Sequence, residues 1–255
     1  MDRKVRIFDI LSNNNTIKIA LLAEMMDISQ VTLRKDLDDL DKLGIVHRSH
    51  GYVSLDGADE TSKRIAFCYS IKRRIAKAAA QVVEEGETVM LESGSCCALF
   101  AEELALAKKN ITIVTNSSYI ADYVYRFPTI KVILLGGYFQ AESRVLIGSM
   151  VAKCAEGFYT DKFFLGTDGF IPGKAFTGKD HLRVETALGL SQYADKIFIL
   201  TESAKFHRRG AYSLLPLENI DGVFTDEKIP KEAEAALTSN NVQLYKVSAG
   251  TTGVI

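Results

Sequence analysis

Two stretches of the chain carry side chains whose types and spacing suit recognition of a charged partner. In the first, Leu33, Leu37 and Leu40 recur at helical spacing, so a helix that buries them turns Val31, Thr32, Arg34, Lys35 and Asp38 outward. Arginine and lysine donate to base edges and phosphates, and small apolar groups meet thymine methyls, so this face suits a DNA major groove. Asp36, Asp38, Asp39 and Asp41 make the rest of the helix negative, which leaves its N-terminal half to lie against phosphates. In the second stretch, LESGSCCALFAEEL (91–104) reads as a strand end, a small-residue loop containing Gly94, and an amphipathic helix. Such a turn aims backbone N–H groups and a positive helix end at a phosphate or carboxylate. TNSS (115–118) and LGG (135–137) repeat the theme at other strand ends, where open α/β sheets bind ligands. Asp168, Glu185, Ser203 and Lys205 come from or near further strand ends and an intervening helix. Carboxylates accept hydroxyl protons and an ammonium pairs with anions, so the set suits a polyhydroxylated anion. Taken singly, each loop is as well explained as a capped turn and each charge as a solvated surface group.

The elements that must position these groups change character near residue 50. Residues 1–45 read as three short helices, with Ile7, Ile10 and Leu11 on one face, then Ile19, Leu22, Ala23 and Met26, then the three leucines above. Asp27-Ile28-Ser29 is a tight connection, and the Ser29 hydroxyl can cap the helix that follows. Gly44 ends that helix, and residues 45–55 alternate as a small hairpin, or wing, turned at or near Gly51. Arg3, Lys4, Arg6, His47, Arg48 and His50 could add phosphate or minor-groove contacts. The same three helices also fit a small protein-interaction bundle. From residue 71 short apolar strands alternate with helices: 88–93, 111–116, 131–137, 161–170, 196–203, 222–226 and 242–248. That rhythm predicts a mostly parallel sheet covered on both faces. The fold class is therefore α/β, with a DNA-binding domain at 1–56, a linker at 57–70 around Gly57, and a ligand-binding domain at 71–255.

Composition narrows the partners. The 255 residues carry 31 basic and 32 acidic side chains, so no bulk positive field draws the molecule to nucleic acid or an anionic membrane. Residues 1–55 balance at eight of each sign, which favours site-specific over non-specific DNA contact, since the latter rests on counterion release. No apolar run approaches the ~18 residues that would span a bilayer, and the start of the chain lacks a secretory pattern. We expect a cytoplasmic protein. Cys68, Cys96, Cys97 and Cys154 form no CxxC pair, so reduced thiols and no metal are expected.

ISQVTLRKDLDDLDKLGIVHRSHGYVSL resembles the helix-turn-helix of the DeoR/GlpR family of bacterial repressors, S-x-x-T-[IV]-R-[RK]-D-L-x-x-L-x-x-x-G followed by R-x-H-G-G. The resemblance implies DNA-binding roles for Ser29, Thr32, Arg34, Lys35, Arg48, His50 and Gly51. Tyr52 stands where the family has a second glycine, and Lys35 where arginine is common. IKRRIAKAAAQVV, the ESGS loop, IVTNS, LLGG, IGS, DKFFLGTDGF, the Glu185 helix, SAKF and FTD then follow the effector domain of the same repressors. That domain is similar in fold to ribose-5-phosphate isomerase and coenzyme A transferases and senses sugar phosphates or related metabolites. By this resemblance Gly94, Ser95 and Cys96 form the phosphate loop, Asn116 and Gly136 its neighbours, and Asp168, Glu185 and Lys205 the polar side of the pocket. Cys96 replaces a hydroxyl residue, and a thiol is the weaker donor. The expected protein is a repressor of a carbohydrate operon, at least a homodimer because one small module buries too little surface. Operator DNA and a sugar phosphate are its expected partners; no cofactor, no catalytic residue and no membrane association are expected. A rival reading is an aldose–ketose isomerase with a DNA-binding appendage, in which Asp168, Glu185 and Lys205 move protons; kinship of fold does not carry activity.

Overall fold

A computed structural model describes residues 3–14, 16–42, 45–55, 64–107 and 110–248. The chain divides into two units, 1–70 and 71–255. Gly44, Gly57 and residues 57–63 of the expected linker lie outside the described residues; Tyr69 and Ser70 already belong to a helix.

The first unit opens with α1 (Arg3–Asn14), β1 (Thr16–Lys18), α2 (Ile19–Met26) and α3 (Gln30–Lys42), followed by β2 (His47–Ser49) and β3 (Tyr52–Ser54). Ile7, Phe8 and Leu11 of α1, Ile19, Leu22, Ala23 and Met26 of α2, and Leu33, Leu37 and Leu40 of α3 are all buried, as helical periodicity requires. Asp27 ends α2 in the left-handed conformation at φ 55°. This is a conformation that aspartate tolerates better than most residues. Arg6 on α1 donates to the carbonyls of Met25 (2.7 Å) and Met26 (3.1 Å), satisfying two acceptors that the end of α2 leaves open. Strand β1, which the sequence reading did not separate from the helices, pairs with β3, so the wing is a three-stranded sheet in the order β1-β3-β2.

Helix α4 (Tyr69–Ala80), whose first two residues close the first unit, leads into β4 (Thr88–Leu91), α5 (Ser95–Ala107), β5 (Ile111–Thr115), α6 (Ser118–Val124) and β6 (Ile130–Leu134) of the second. A hairpin, β7 (Tyr138–Gln140) and β8 (Val145–Ile147), precedes α7 (Ser149–Ala155) and β9 (Thr160–Leu165). Strands β10 (Gly169–Ile171) and β11 (Ala175–Gly178), helix α8 (His181–Ser191), β12 (Ala194–Leu200), β13 (Tyr212–Pro216), β14 (Gly222–Asp226), α9 (Lys231–Ser239) and β15 (Gln243–Val247) complete it. Seven strands form one parallel sheet in the order β15-β14-β12-β9-β4-β5-β6. Successive residues of a strand face opposite sides, and β14 is buried at every position with the central β9 and β4 nearly so, so both faces of the inner sheet are covered.

One expected strand is really two. Residues 161–170 break after Leu165, and β10 joins β11 and β13 in a separate antiparallel sheet. The Thr167 hydroxyl makes the turn, its single proton shared between the carbonyls of Gly169 (2.7 Å) and Thr177 (3.0 Å). Gly169 has no room for a side chain: a Cβ there would stand 2.4 Å from the Arg208 carbonyl oxygen.

Candidate DNA-binding surface and strand-tip site

The start of α3 is fixed by local chemistry. Ser29 Oγ accepts the Thr32 N–H at 3.1 Å and lies 2.9 Å from Thr32 Oγ1, while Leu33 N–H bonds the Ser29 carbonyl at 3.0 Å. Ser29 is thus the N-cap that the sequence calls for. With the leucines facing inward, Val31 is 66% exposed and Arg34 and Lys35 are exposed, while Thr32 is half-buried beside its cap. Position 31 therefore offers an apolar group and positions 34 and 35 offer cations on one outward face, next to the positive end of the helix dipole.

The aspartates of α3 are largely answered within the unit. Arg3 makes a two-pronged contact with Asp36, Nε at 2.6 Å and Nη2 at 3.0 Å. Arg48, on β2, lies 2.7 Å from Asp38 through Nη2 and 3.7 Å from Asp41 through Nε, and Nη1 donates to the Arg34 carbonyl at 3.4 Å. Three arginines expected to reach phosphates, Arg3, Arg6 and Arg48, are therefore engaged by groups of this unit.

The wing turns on His50 and Gly51, which are closed by the Ser49–Tyr52 pair and have φ of 48° and 84°. Two successive left-handed residues are what a two-residue hairpin needs, so Tyr52, the first residue of β3, does no harm to the turn. His50 Nδ1 sits 2.7 Å from Ser49 Oγ, and Lys18 lies over the Tyr52 ring at 5.8 Å. His50 and Gly51 are exposed at the tip.

In the second unit the chain runs from β4 outward through β5 and β6, then returns to the far side of β4 with β9, β12, β14 and β15. The sheet thus reverses between β4 and β9, and the carboxyl ends of those strands flank the crevice that such a reversal opens. After β4 come Glu92, Ser93 and Gly94, and α5 starts at Ser95. The first bond of α5 in this turn joins the Ala98 N–H to the Gly94 carbonyl at 2.9 Å. The amides that precede it have no acceptor within the helix. A Cβ added to Gly94 would meet only Cys97 Sγ, at 3.8 Å. Ser95 and Cys96 are buried, and Cys96 Sγ points to Glu202 Oε2 at 3.9 Å.

Around this loop lies a group that the sequence reading missed. Arg183 of α8 reaches the tip of β4, its Nη2 donating to Glu92 Oε1 (3.1 Å) and Ser93 Oγ (2.9 Å), and Ser93 Oγ donates to the same carboxylate oxygen (2.6 Å). Burial alone would lower the Arg183 pKa; the Glu92 carboxylate, with Asp168 and Asp180 behind it, holds the guanidinium above its ordinary value. Its Nε is buried with no hydrogen-bond partner. A second buried pair, Lys72 and Glu202, stands 4.0 Å apart, with Glu202 at the tip of β12. Asp180 caps α8, accepting the Arg183 N–H (3.0 Å) and the Gln140 amide (2.9 Å). Burial would raise its carboxyl, but these donors and the Arg183 charge hold it below the usual carboxylate range. Two signals in the sequence mark the group: a carboxylate directly after the apolar run Val89–Leu91, and an arginine beside Val184 on a helix that buries Ala187 and Leu190.

Of the residues expected here, Gly94, Ser95 and Cys96 lie together on the loop. Asp168 follows β9 and accepts the Lys179 N–H at 3.0 Å. Asn116 is turned to a structural task, its amide nitrogen donating to the Leu146 carbonyl at 2.9 Å while its Oδ1 is buried without a partner. Gly136 leaves 3.6 Å between an added Cβ and Cys154 Sγ. Lys205 is half-buried in the turn of 3-10 helix at Ser203–His207. Glu185 is exposed on α8; two positions beyond Arg183, it leaves the opposite flank of the helix, and the structure does not join it to the Glu92 group. Among the described residues no cluster of three metal-ligating side chains occurs, and no helix is long and apolar enough to cross a membrane.

Two family models match separate parts of the chain. Residues 3–57 match the model of the DeoR-like helix-turn-helix domain, and residues 68–227 that of the DeoR C-terminal sensor domain. The chain is 30% identical over 234 residues to the HTH-type transcriptional regulator GolR of Listeria innocua, covering 90% of this chain and 92% of the relative. It is 24% identical over 241 residues to the glycerol-3-phosphate regulon repressor of Escherichia coli K12, covering 93% of this chain and 95% of that one. Ribose 5-phosphate isomerase A of Methanocaldococcus jannaschii is a more distant likeness, with 17% identity, a TM-score of 0.40 and 54% of each chain covered. With a DNA-reading module at one end and a sensor domain over most of the rest, the chain belongs to the DeoR family of transcriptional regulators.

Proposed function

We propose that this regulator is a cytoplasmic, non-enzymatic repressor of a carbohydrate-metabolism operon that binds its operator as a dimer or larger homo-oligomer and answers to a sugar phosphate. The observation that carries the DNA half is the outward face of α3, where Val31, Arg34 and Lys35 stand exposed beside a Ser29-capped helix start. Thr32, His50 and Gly51 flank it. A major-groove helix in this orientation reads bases with its first two turns. Two such modules, spaced by the sensor units, reach half-sites about one helical turn or a multiple of it apart.

The sensor half rests on charge arrangement. Glu92, Asp168 and Asp180 surround Arg183, so this side of the crevice suits hydroxyl groups better than a phosphate. The start of α5, with Ser95 and Cys96, offers amide donors and a positive dipole to the anion instead. A ligand with hydroxyls at one end and a phosphate at the other fits both. The names of relatives that regulate a glycerol-3-phosphate regulon or a lactose phosphotransferase system support the same ligand class. The ligand acts through a difference in its affinity for DNA-competent and incompetent states.

The test has two steps. Selection of duplexes from a randomised pool on the purified full-length protein should return one recurring two-part site. A thermal-shift screen of sugar phosphates, with the unphosphorylated sugars and inorganic phosphate as controls, should return a stabilising phosphorylated sugar. Failure to enrich any sequence removes the operator reading; turnover of an aldose phosphate to its ketose that is lost in Glu185→Gln would favour the isomerase.

A further inference from the structure

An arginine in a DNA-binding wing is ordinarily assigned to a phosphate, and here the geometry points elsewhere. We infer that Arg48 is a positioning residue: it clamps the wing to the recognition helix and neutralises that helix, instead of contacting DNA itself. The inference rests on the reading that α3 and the wing address one duplex.

Three observations carry it. Arg48 leaves β2 and spans three groups of α3: the carboxylates of Asp38 and Asp41 and the carbonyl of Arg34. Its side chain is 28% exposed and turned onto α3: Nη2 is paired directly with Asp38, while the buried Nε makes no hydrogen bond and holds Asp41 only at ion-pair range, 3.7 Å. Asp38 and Asp41 are three apart, which puts them on one flank of α3, the spacing that a single planar guanidinium can bridge. The neighbouring Asp39 is exposed and Asp36 is taken by Arg3, so Arg48 is aimed at a selected pair of the four aspartates.

The consequence for binding is specific. Two uncompensated carboxylates on the recognition helix would repel the phosphates on either side of the groove. A wing free to swing would cost ordering on binding. The clamp removes both penalties at once and also holds the Arg34 backbone, whose side chain stands on the outward face. Exposed surface ion pairs are weak; this one acts by joining two elements, so its effect should be seen in DNA selectivity more than in folding.

The sign of one substitution separates the two roles. Asp38→Asn with Asp41→Asn removes two negative charges from the DNA-facing helix. If Arg48 were a phosphate ligand held back by these acids, the double variant would free it and tighten binding. Under the clamp, the same variant releases the wing, and the preference for the selected duplex over random DNA falls by about tenfold, the scale of losing one base pair's readout. Asp39→Asn serves as the charge control, because it removes a carboxylate from the same helix without touching the clamp; its preference should hold or rise. Arg48→Gln should lower the preference in the wild-type background and change it little in the Asp38→Asn/Asp41→Asn background. Arg48→Lys keeps the charge but not the fork and should recover only part of the loss. Thermal unfolding of each full-length variant guards against a fold defect. Tighter or unchanged selective binding in the double aspartate variant, or a loss from Arg48→Gln that is the same in both backgrounds, overturns the clamp while leaving operator binding by α3 intact. If wild type itself prefers no sequence, the operator reading fails and the clamp fails with it.

Discussion

In the DNA-facing unit the groups proposed to touch the partner stand on the outside of α3, unpaired at Lys35 and Val31, over a leucine face that is wholly buried. At the strand tips of the second unit the reverse holds. Glu92, Ser93, Glu202 and Lys72 are buried and joined to one another or to Arg183 before any ligand arrives. The difference is the one that the two proposed partners require. A duplex brings its own charged surface to a rigid convex rod, whereas a small molecule must find donors already fixed inside a crevice, where each unpaired charge would be costly.

That contrast can be broken at several points. The largest effect should come from Arg183→Met, which leaves the Glu92 carboxylate buried without its cation. Chemical denaturation should show a loss of about 3 kcal/mol, and Glu92→Gln in the same chain should return most of it. If the single variant is as stable as wild type, the tip of β4 is wetter than the contrast requires. Arg34→Ala comes next. It should remove about 2 kcal/mol of preference for the selected duplex, measured against random DNA, and leave the thermal shift produced by the effector unchanged. Gly94→Asp puts a charge and bulk on a buried residue where an added Cβ meets only Cys97 Sγ but the backbone φ of 159° strains a side chain, so its thermal unfolding is measured alongside; the effector response should disappear while DNA affinity persists. A normal response would reduce the loop to a turn.

The smallest effect concerns the helix that carries Arg183. Asp180→Ala deletes its N-cap, at a cost of about 1 kcal/mol, read as a fall of about 2–4 °C in thermal midpoint for a unit of this size. Because the folded-state pKa of Asp180 is depressed, its contribution is present in full above the unfolded carboxylate value, roughly 4, and is lost as pH falls through the lower folded value. The gap between wild type and variant should therefore narrow in acid. A gap that widens instead would reverse the assigned charge state.

The same contrast explains what could be read from residues alone. The inward leucines of α3 and the Ser29 cap were legible because a helix on a surface has one wet face and one dry face, and spacing reports which is which. The seven strands of the main sheet were legible because its inner parallel strands are apolar nearly throughout, and even the partly exposed edge strands β6 and β15 keep short apolar runs. The small sheet of β10, β11 and β13 was not. β10 and β11 form a local hairpin of very short strands that β13 joins from farther along the chain, and the break after Leu165 is made by the Thr167 hydroxyl and by the close approach of Gly169 to Arg208, neither of which has a periodic trace. Arg48 shows the limit most clearly. Its place in the wing suggests a phosphate, and only the tertiary register reveals Asp38 and Asp41 beneath it. Arg183 escaped for the same reason, since its partners are 90 and 91 residues away in sequence.

Under the proposed function, a small phosphorylated sugar at the strand tips changes how tightly the first unit holds a particular DNA. Fluorescence anisotropy of the selected duplex, titrated with wild-type protein in the presence of each sugar phosphate, its parent sugar or inorganic phosphate, measures this directly. At least one sugar phosphate should shift the Kd by roughly 5–150-fold while its parent sugar and inorganic phosphate do not, and Gly94→Asp should abolish the shift. Identical Kd values across the whole panel, or a shift that survives Gly94→Asp, would contradict it.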